Sequence, residues 1–476
     1  MLNGPLTAKP STLIDKLWAT HLVADLGEEI SLLHVDRVFL HERSGAVALR
    51  ALKASARSVR RPALAFATID HIVDTESGRG DSTKFKGGED FIRAMRQGSN
   101  EFGITFFDIA DPRQGITHVI AAELGIAQPG ATMVCGDSHT CTLGGLGALA
   151  WGIGSTAIEQ ALATQTVEER RPKNMRIRCD GQLAEGVFAK DLVLSLLGKY
   201  GASGGTGYAI EFAGSAVKAL PIEARMTLCN MAIEFAAFTG IVAPDERTFD
   251  YLYGRSYAPK EELWDQALLH WRTLNSHEEA KFDRDLVVNV ADIGPQVTWG
   301  TSPQHVVGTD GAVPDPTAAA DTTLRAGMEA AQRYMGLQPG TPLRSIPIEA
   351  AFIGSCTNAR LSDLREAANV LRGRKVAPGV KALCVPGSTA IKKAAEVEGL
   401  DRIFKEAGFE WRESGCSLCF YVGGDSFGDA RRVISTTNRN FEGRQGPGVR
   451  THLASPATVA ASAIMGRISS VRDLAR

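Results

Sequence analysis

Three cysteines, three histidines and two arginines stand in contexts where residue type and spacing have chemical meaning. Cys416 and Cys419 form a C-x-x-C in SGCSLC, and Cys356 stands upstream in IGSCTNAR. Alone, a C-x-x-C serves as a redox pair or as half of a zinc site. Here it runs into the Gly-rich YVGGDSFGD instead of opening the helix of a small redox domain, and a structural zinc would need a fourth ligand. The nearest candidate for that ligand, Cys384, falls inside the apolar run ALCV, where an inert packed thiol is expected. Three thiolates without a fourth match an iron–sulfur cubane, normally held by four cysteines, with one iron left open. An open iron is a Lewis acid for substrate oxygens. Cys135, Cys141, Cys179 and Cys229 have no C-x-x-C partner and are expected in the core or behind the site.

Asp70-His71 and Asp137-Ser138-His139 each join a carboxylate to an imidazole just after an apolar run, and His118 sits in the same kind of loop. A carboxylate beside an imidazole raises its pKa and fixes its tautomer, which suits a general acid or base. Glu234, inside the apolar NMAIEFAAF, is a candidate buried carboxylate. Arg439 and Arg444 lie in the short loop TNRNFEGRQG, where guanidinium forks suit a bidentate grip on substrate carboxylates. Gly145, Gly147 and Ala150 fit G-x-G-x-x-A, but their strand lies well upstream and the tight strand-turn-helix context of a nucleotide site is missing.

These loops need elements that hold them. From about residue 345 an apolar run, a Gly-rich or polar turn and a helical pattern recur, with strands expected over 346–353, 380–385, 409–412, 433–436 and 450–453. ALAFATID, GITFFDIAD and ATMVCGD repeat the theme near the N-terminus. Such alternation predicts α/β domains with parallel sheets covered by helices, and ligands bound outside the carboxyl ends of the strands. Residues 173–295 read differently, with a Gly-rich turn at 201–207 and one long helical pattern over 222–237. Three α/β domains are therefore expected, at 1–172, 173–295 and 296–476, with 295–320 as a connecting loop.

Composition narrows the class. The 476 residues carry 52 Lys+Arg against 54 Asp+Glu, a formal net charge of -2, and 44% are hydrophobic. That balance argues against extended disorder and offers no electrostatic case for nucleic acid or a membrane surface. The uncharged stretch Leu143–Ile158 is shorter than the roughly 20 residues of a membrane span and reads as a buried helix or loop. The N-terminus shows no apolar core with a cleavage site, so a cytoplasmic chain with reduced thiols is expected.

DHIVDT, GDSHT, CNMAIE, IGSCTNAR, GCSLC and STTNRNFEGRQG occur in the order and spacing of the aconitase superfamily, and the resemblance covers nearly the whole chain. ARMTLCNMAIE, PQVTWGTSP, GRKVAPGV and EAGFEWR resemble the two-subunit branch that isomerises a 2-substituted malate in leucine biosynthesis. The resemblance implies an aconitase-like fold of three α/β domains around a [4Fe-4S] cluster on Cys356, Cys416 and Cys419, with one iron free of cysteine. It implies dehydration of a small dicarboxylic hydroxy acid and rehydration at the neighbouring carbon. Asp70 and His71 would protonate the departing hydroxyl, Asp137, His139 and Glu234 would hold the water, and His118 would assist them. Ser138, Arg439 and Arg444 would bind substrate, while Asn230 and Asn358 would orient cluster or substrate. With Arg476 coming soon after the helix expected from Ser455, no C-terminal swivel domain is expected in this chain. The resemblance therefore implies a separate small subunit that brings that domain and a serine base. Val47, Leu143 and the stretch Phe420 to Gly424 depart from the branch's usual residues and bear on which malate is used. A cluster-sensing RNA-binding regulator is disfavoured by the retained acid and base residues and by the lack of a basic, aromatic-rich segment.

Overall fold

The computed structural model describes residues 10–422 and 424–474. Residues 1–9, Gly423 of the Phe420 to Gly424 stretch, and residues 475–476 lie outside the described residues. Two five-stranded parallel sheets dominate, and they share one strand order. The first runs Thr105–Phe107, Ala65–Thr68, Arg37–His41, Thr132–Cys135, Leu149–Gly152 across the sheet. The other runs Phe409–Trp411, Lys381–Cys384, Ala350–Ile353, Arg432–Ser435, Arg450–Leu453. In each the earliest strand lies in the middle, and the chain winds first to one side and then to the other. Their inner strands AFAT, TMVC and AAFI are buried at every position, as a parallel sheet covered on both faces requires. This arrangement places a crevice at the carboxyl ends of the central strands, where the winding direction changes. His41 closes one such strand, and Asp70, Asp137, Cys356 and Arg439 follow the ends of others.

A third parallel sheet, Thr239–Ile241, Tyr208–Ala213, Lys173–Asp180, Arg284–Asn289, forms the middle region. Three expectations need correction here. The pattern over 222–237 is a helix only to Asn230, after which the chain tightens into a 3-10 turn over Met231–Phe235 and leaves through Ala236 at φ 58°. The break follows from Asn230, whose buried amide is held by Thr142 and Thr357 instead of pointing along a continuous helix face. Residues 295–320 are more than a loop, because Gln296–Thr298 and Val306–Gly308 pair antiparallel and send Val297 and Trp299 into a core. Leu143–Ile158 contains the edge strand Leu149–Gly152 between a 3-10 turn and the helix Ser155–Thr164. The core of the first sheet also takes in Phe249, Leu252, Trp264 and Trp271, so the helices Glu246–Leu252 and Glu262–Trp271 pack back across the boundary read at 172. No described helix is long and apolar enough to cross a membrane.

The two large sheets meet at a narrow seam. Ile116 N–H donates to the Gly387 carbonyl and Thr389 N–H to the Gln114 carbonyl, both at 2.8 Å. The Cys416 N–H donates to the Asp70 carbonyl at 2.8 Å. Gly115 sits at the point of closest approach, where a Cβ would stand 2.6 Å from the Ser388 Cα. Behind the first sheet, His21 Nε2 lies 2.9 Å from Asp36 Oδ2, and the same carboxylate accepts the Thr132 N–H at 2.8 Å. That contact pins the start of the strand that ends beside Asp137. Burial by itself would lower His21, but Asp36 and the Leu17 carbonyl outweigh it and hold the imidazole above its usual value. Burial would raise Asp36, yet His21 and the Thr132 N–H bring it to about 2.

Gly115→Ala overpacks the seam, and a loss of about 1–3 kcal/mol is expected in denaturant unfolding; unchanged stability would show that the seam yields freely. The His21–Asp36 pair gives a pH test. The raised imidazole contributes fully below its unfolded value of about 6.5 and loses that contribution as pH rises through the folded value. The depressed carboxylate contributes above about pH 4 and loses it as pH falls toward its folded value. His21→Gln should therefore destabilise the chain more near pH 6 than near pH 9, measured as the shift of the unfolding midpoint.

Candidate active site

Glu42 shows how the site is built. It opens the helix Glu42–Ala54 directly after a central strand, is 0% exposed, and lies within reach of the next strand's exit. Its carboxylate accepts the backbone N–H groups of Asp70 at 3.1 Å and His71 at 2.7 Å, and that of Ile72 as well. The turn carrying the Asp70–His71 dyad is thus folded around one buried carboxyl group. Asp70 accepts a hydrogen bond from His71 Nδ1 on one oxygen. Its other oxygen takes the Thr117 N–H at 2.9 Å and the Thr117 hydroxyl at 3.1 Å. Burial would raise Asp70, but His71 is in contact and holds it at about 2. Burial would likewise lower His71, and Asp70, Cys416 and Asp137 together push it well above the usual imidazole range. Glu42 goes the other way, raised to about 7 by burial and by Asp70. His41 and His71 stack with centroids 4.2 Å apart, and burial and the His71 charge take His41 down to about 4.

His71 delivers the dyad to Asp137, with Nε2 at 3.2 Å from Oδ2. The other oxygen of Asp137 lies 3.2 Å from His118 Nε2 and accepts the His139 N–H at 2.7 Å. The His118 contact lacks the alignment of a hydrogen bond, and both of its ring nitrogens are buried without a partner. Burial would raise Asp137, but His118, His139 and His71 keep it well below the carboxylate range. His139 Nε2 stands 2.8 Å from Glu234 Oε1, and Arg439 Nε reaches the same oxygen at 2.8 Å. Burial would raise Glu234, but the His139 hydrogen bond and the Arg439 guanidinium outweigh it and lower the carboxyl. Arg439 also donates to the Ser138 hydroxyl at 3.1 Å.

Cys356, Cys416 and Cys419 line the same cavity of about 520 Å³ as His71, Asp137 and Arg444. All eight cysteines are unpaired and buried, and Cys384 lies on an inner strand outside this lining. Donors are aimed at the sulfurs. Asn230 Nδ2 reaches Cys356 Sγ at 3.2 Å, Asn438 Nδ2 reaches it at 3.5 Å, and the Ser355 hydroxyl reaches Cys419 Sγ at 3.1 Å. Ser355 and Ser417, each next to one of these cysteines, adopt the left-handed region at φ 78° and 46°. For a residue with a Cβ this costs roughly 1–2 kcal/mol, and such strain gathers where side chains must be aimed. Three thiols on one cavity, with N–H and O–H donors directed at two of them, fit a group that needs thiolate ligands and polar support.

The structure brings Asp70, His71, His118, Asp137, Ser138, His139, Glu234, Arg439, Arg444 and the three cysteines into or beside this cavity, with Asn230 behind Cys356. Asn358 differs from the expectation. Its amide donates to Asp363 at 2.9 Å and to Thr227 at 3.3 Å, which places it in the support behind the cysteine loop instead of on the cavity. Leu143 is packed in the first core, away from the cavity, whereas Val47 and Phe420 line it. Sequence reasoning passed over His41, Glu42, Asn438 and Ser355. The signal for Glu42 was available, since HE follows the apolar VFL as DH follows FATI.

Two doubly wound sheets of equal order, closed over one cavity with this donor set, define the class: the chain belongs to the aconitase family (aconitate hydratase), which its residues 15–466 match. Enzymes of that family bind a [4Fe-4S] cluster. The chain is 53% identical over 465 residues to 3-isopropylmalate dehydratase large subunit 1 of Bradyrhizobium diazoefficiens, covering 98% of this chain and 97% of that protein. The holo-form crystal structure of Thermococcus kodakaraensis aconitase X aligns with a TM-score of 0.46 at 13% identity, over 90% of this chain and 89% of that one.

Glu42→Gln leaves one acceptor oxygen where three N–H groups converge, so the dyad shifts while the fold persists. A fall in kcat on the order of 10²-fold is expected, as for a displacement of about 1 Å; an unchanged kcat in the folded variant would remove Glu42 from this role.

Proposed function

We propose that the chain is the catalytic large subunit of an enzyme that interconverts 2-isopropylmalate and 3-isopropylmalate by dehydration and rehydration, in the leucine pathway and in the cytoplasm. One observation carries the reading: a thiol triad, an acid–imidazole dyad and an arginine pair converge on a single cavity. Cys356, Cys416 and Cys419 would hold a [4Fe-4S] cluster with one iron free of cysteine. When bound, the cluster supplies a Lewis acid that polarises the substrate hydroxyl and a carboxylate.

The remaining work falls to the chain's own residues. Arg439 and Arg444 grip carboxylates, and Arg444 has room to do so because its Nε is buried without a partner. His71, held protonated by Asp70, transfers its Nε2 proton to the departing hydroxyl, so that the C–O bond breaks and water leaves. The proton on the neighbouring carbon passes to a base brought by a small subunit, read as a serine on a swivel domain. Asp137, His139 and Glu234 retain the water, with His118 behind them, and rehydration at the adjacent carbon runs the same steps in reverse. Val47, Phe91, Ile116 and Phe420 give the cavity an apolar side, which suits a branched alkyl substituent better than a bare malate. Phe420 also lies 5.5 Å from the His71 ring and under the guanidinium groups of Arg43 and Arg444, at 5.1 and 5.2 Å.

The test is anaerobic reconstitution with iron and sulfide, followed by assay with and without the small subunit on isopropylmalates, citramalate and malate. Turnover should need both subunits and favour the isopropyl substrates, and His71→Ala should lower kcat by about 10²–10⁴-fold. Full turnover by the chain alone, or preference for the unsubstituted acid, would overturn the reading.

A further inference from the structure

Lys190 takes no part in the steps above, yet its burial demands an explanation. It is the second residue of the helix Ala189–Tyr200 and is 1% exposed. The first turn of a helix is the wrong end for a cation, because its free N–H groups already carry partial positive charge. The ammonium donates to the carbonyls of Thr436 at 3.0 Å and Thr437 at 2.6 Å. Carbonyls satisfy protons, but they do not neutralise a charge. The adjacent carboxylate, Asp191, is turned away to the N–H groups of Phe188 at 2.9 Å and Gln296 at 2.8 Å. Among the described residues no carboxylate forms an ion pair with Lys190. A buried ammonium in this state is strongly unfavourable and tends to shed its proton unless an anion lies near to hold it.

The two carbonyls belong to the loop that leads into the site. Asn438, one residue on, donates to Cys356 Sγ, and Arg439 follows. The Thr436 side chain is hydrogen-bonded at 2.9 Å to both the N–H and the carbonyl of Gly354, two residues before Cys356. Lys190 therefore stands behind both loops at once. Burial pulls it down to about 7, and the groups that push it back up are Cys356, Asp363, Glu234 and Cys419.

We infer that Lys190 is the counter-cation of the cysteine-held cluster: a positioning residue outside the cavity lining that offsets the cluster's negative charge and fixes the Thr436–Arg439 loop against Cys356. The inference rests on the cluster reading above. A fixed positive charge beside an iron–sulfur centre stabilises its reduced state and raises its reduction potential.

The experiment compares the native chain with Lys190→Gln, which keeps a donor but no charge, and Lys190→Arg, which keeps the charge. Each is reconstituted anaerobically, and its iron and sulfide content, EPR-monitored reduction potential and rate of iron loss in air are measured. Lys190→Gln should show a more negative potential and iron loss roughly tenfold faster, as expected when a group supporting a metal site is removed, while Lys190→Arg should stay near the native potential. Native potential and native iron retention in Lys190→Gln would overturn the inference, as would an equal shift in Lys190→Arg. Failure of the native chain itself to take up iron and sulfide would instead overturn the cluster reading. Melting of the apo chains checks folding, and Lys190→Met is read by the same criteria should Lys190→Gln not fold.

Discussion

Charge buried between the two five-stranded sheets has to be balanced within a few ångströms, because an ion removed from water without a partner costs more than the fold can spare. The site meets this constraint through shared oxygens. Asp137 serves three histidines, Glu234 serves His139 and Arg439 through one oxygen, and Glu42 takes three backbone N–H groups. No member can move without leaving a buried group unpaired. The chemistry and the rigidity of the cavity therefore have one origin.

The sheets supply what this network needs, namely loops that start from fixed points. Equal strand order gives each sheet a switch of winding direction at its middle, and the seam at Gly115 and Ser388 brings the two switches together. The Cys416 N–H bonded to the Asp70 carbonyl then makes one unit of the proton-transfer dyad and the thiol loop. The third sheet contributes from behind. Its helix Ile222–Asn230 stops short so that Asn230 supports Cys356, and the following 3-10 turn sets Glu234 against His139.

Much of this was legible in the sequence for a simple reason. In a parallel α/β sheet the strand is a continuous apolar run and the functional loop comes directly after it, so DH after FATI, GDSHT after ATMVC and GSCTN after IEAAFI mark their own positions. The elements that escaped were those without such a run. Gln296–Thr298 alternates with Gly, Pro and Thr around it, and the helix over 222–237 kept its apolar pattern past Asn230, where buried hydrogen bonds rather than periodicity decide the conformation. Asn358 illustrates the limit for single residues. It sits beside Cys356 in the chain, yet Asp363 and Thr227 turn its amide away.

The sequence by itself determined the chemistry available: which thiols, imidazoles, carboxylates and guanidinium groups exist, and that most of them follow a strand. Local order along the chain is enough for that, because a strand end fixes where a loop begins. Only the tertiary structure decided which of those groups share a cavity, which oxygen of Asp137 meets which histidine, and that Glu42 and Lys190 belong to the same system. Those outcomes depend on contacts between residues tens to hundreds of positions apart, and on the requirement that every buried charge find its partner in three dimensions.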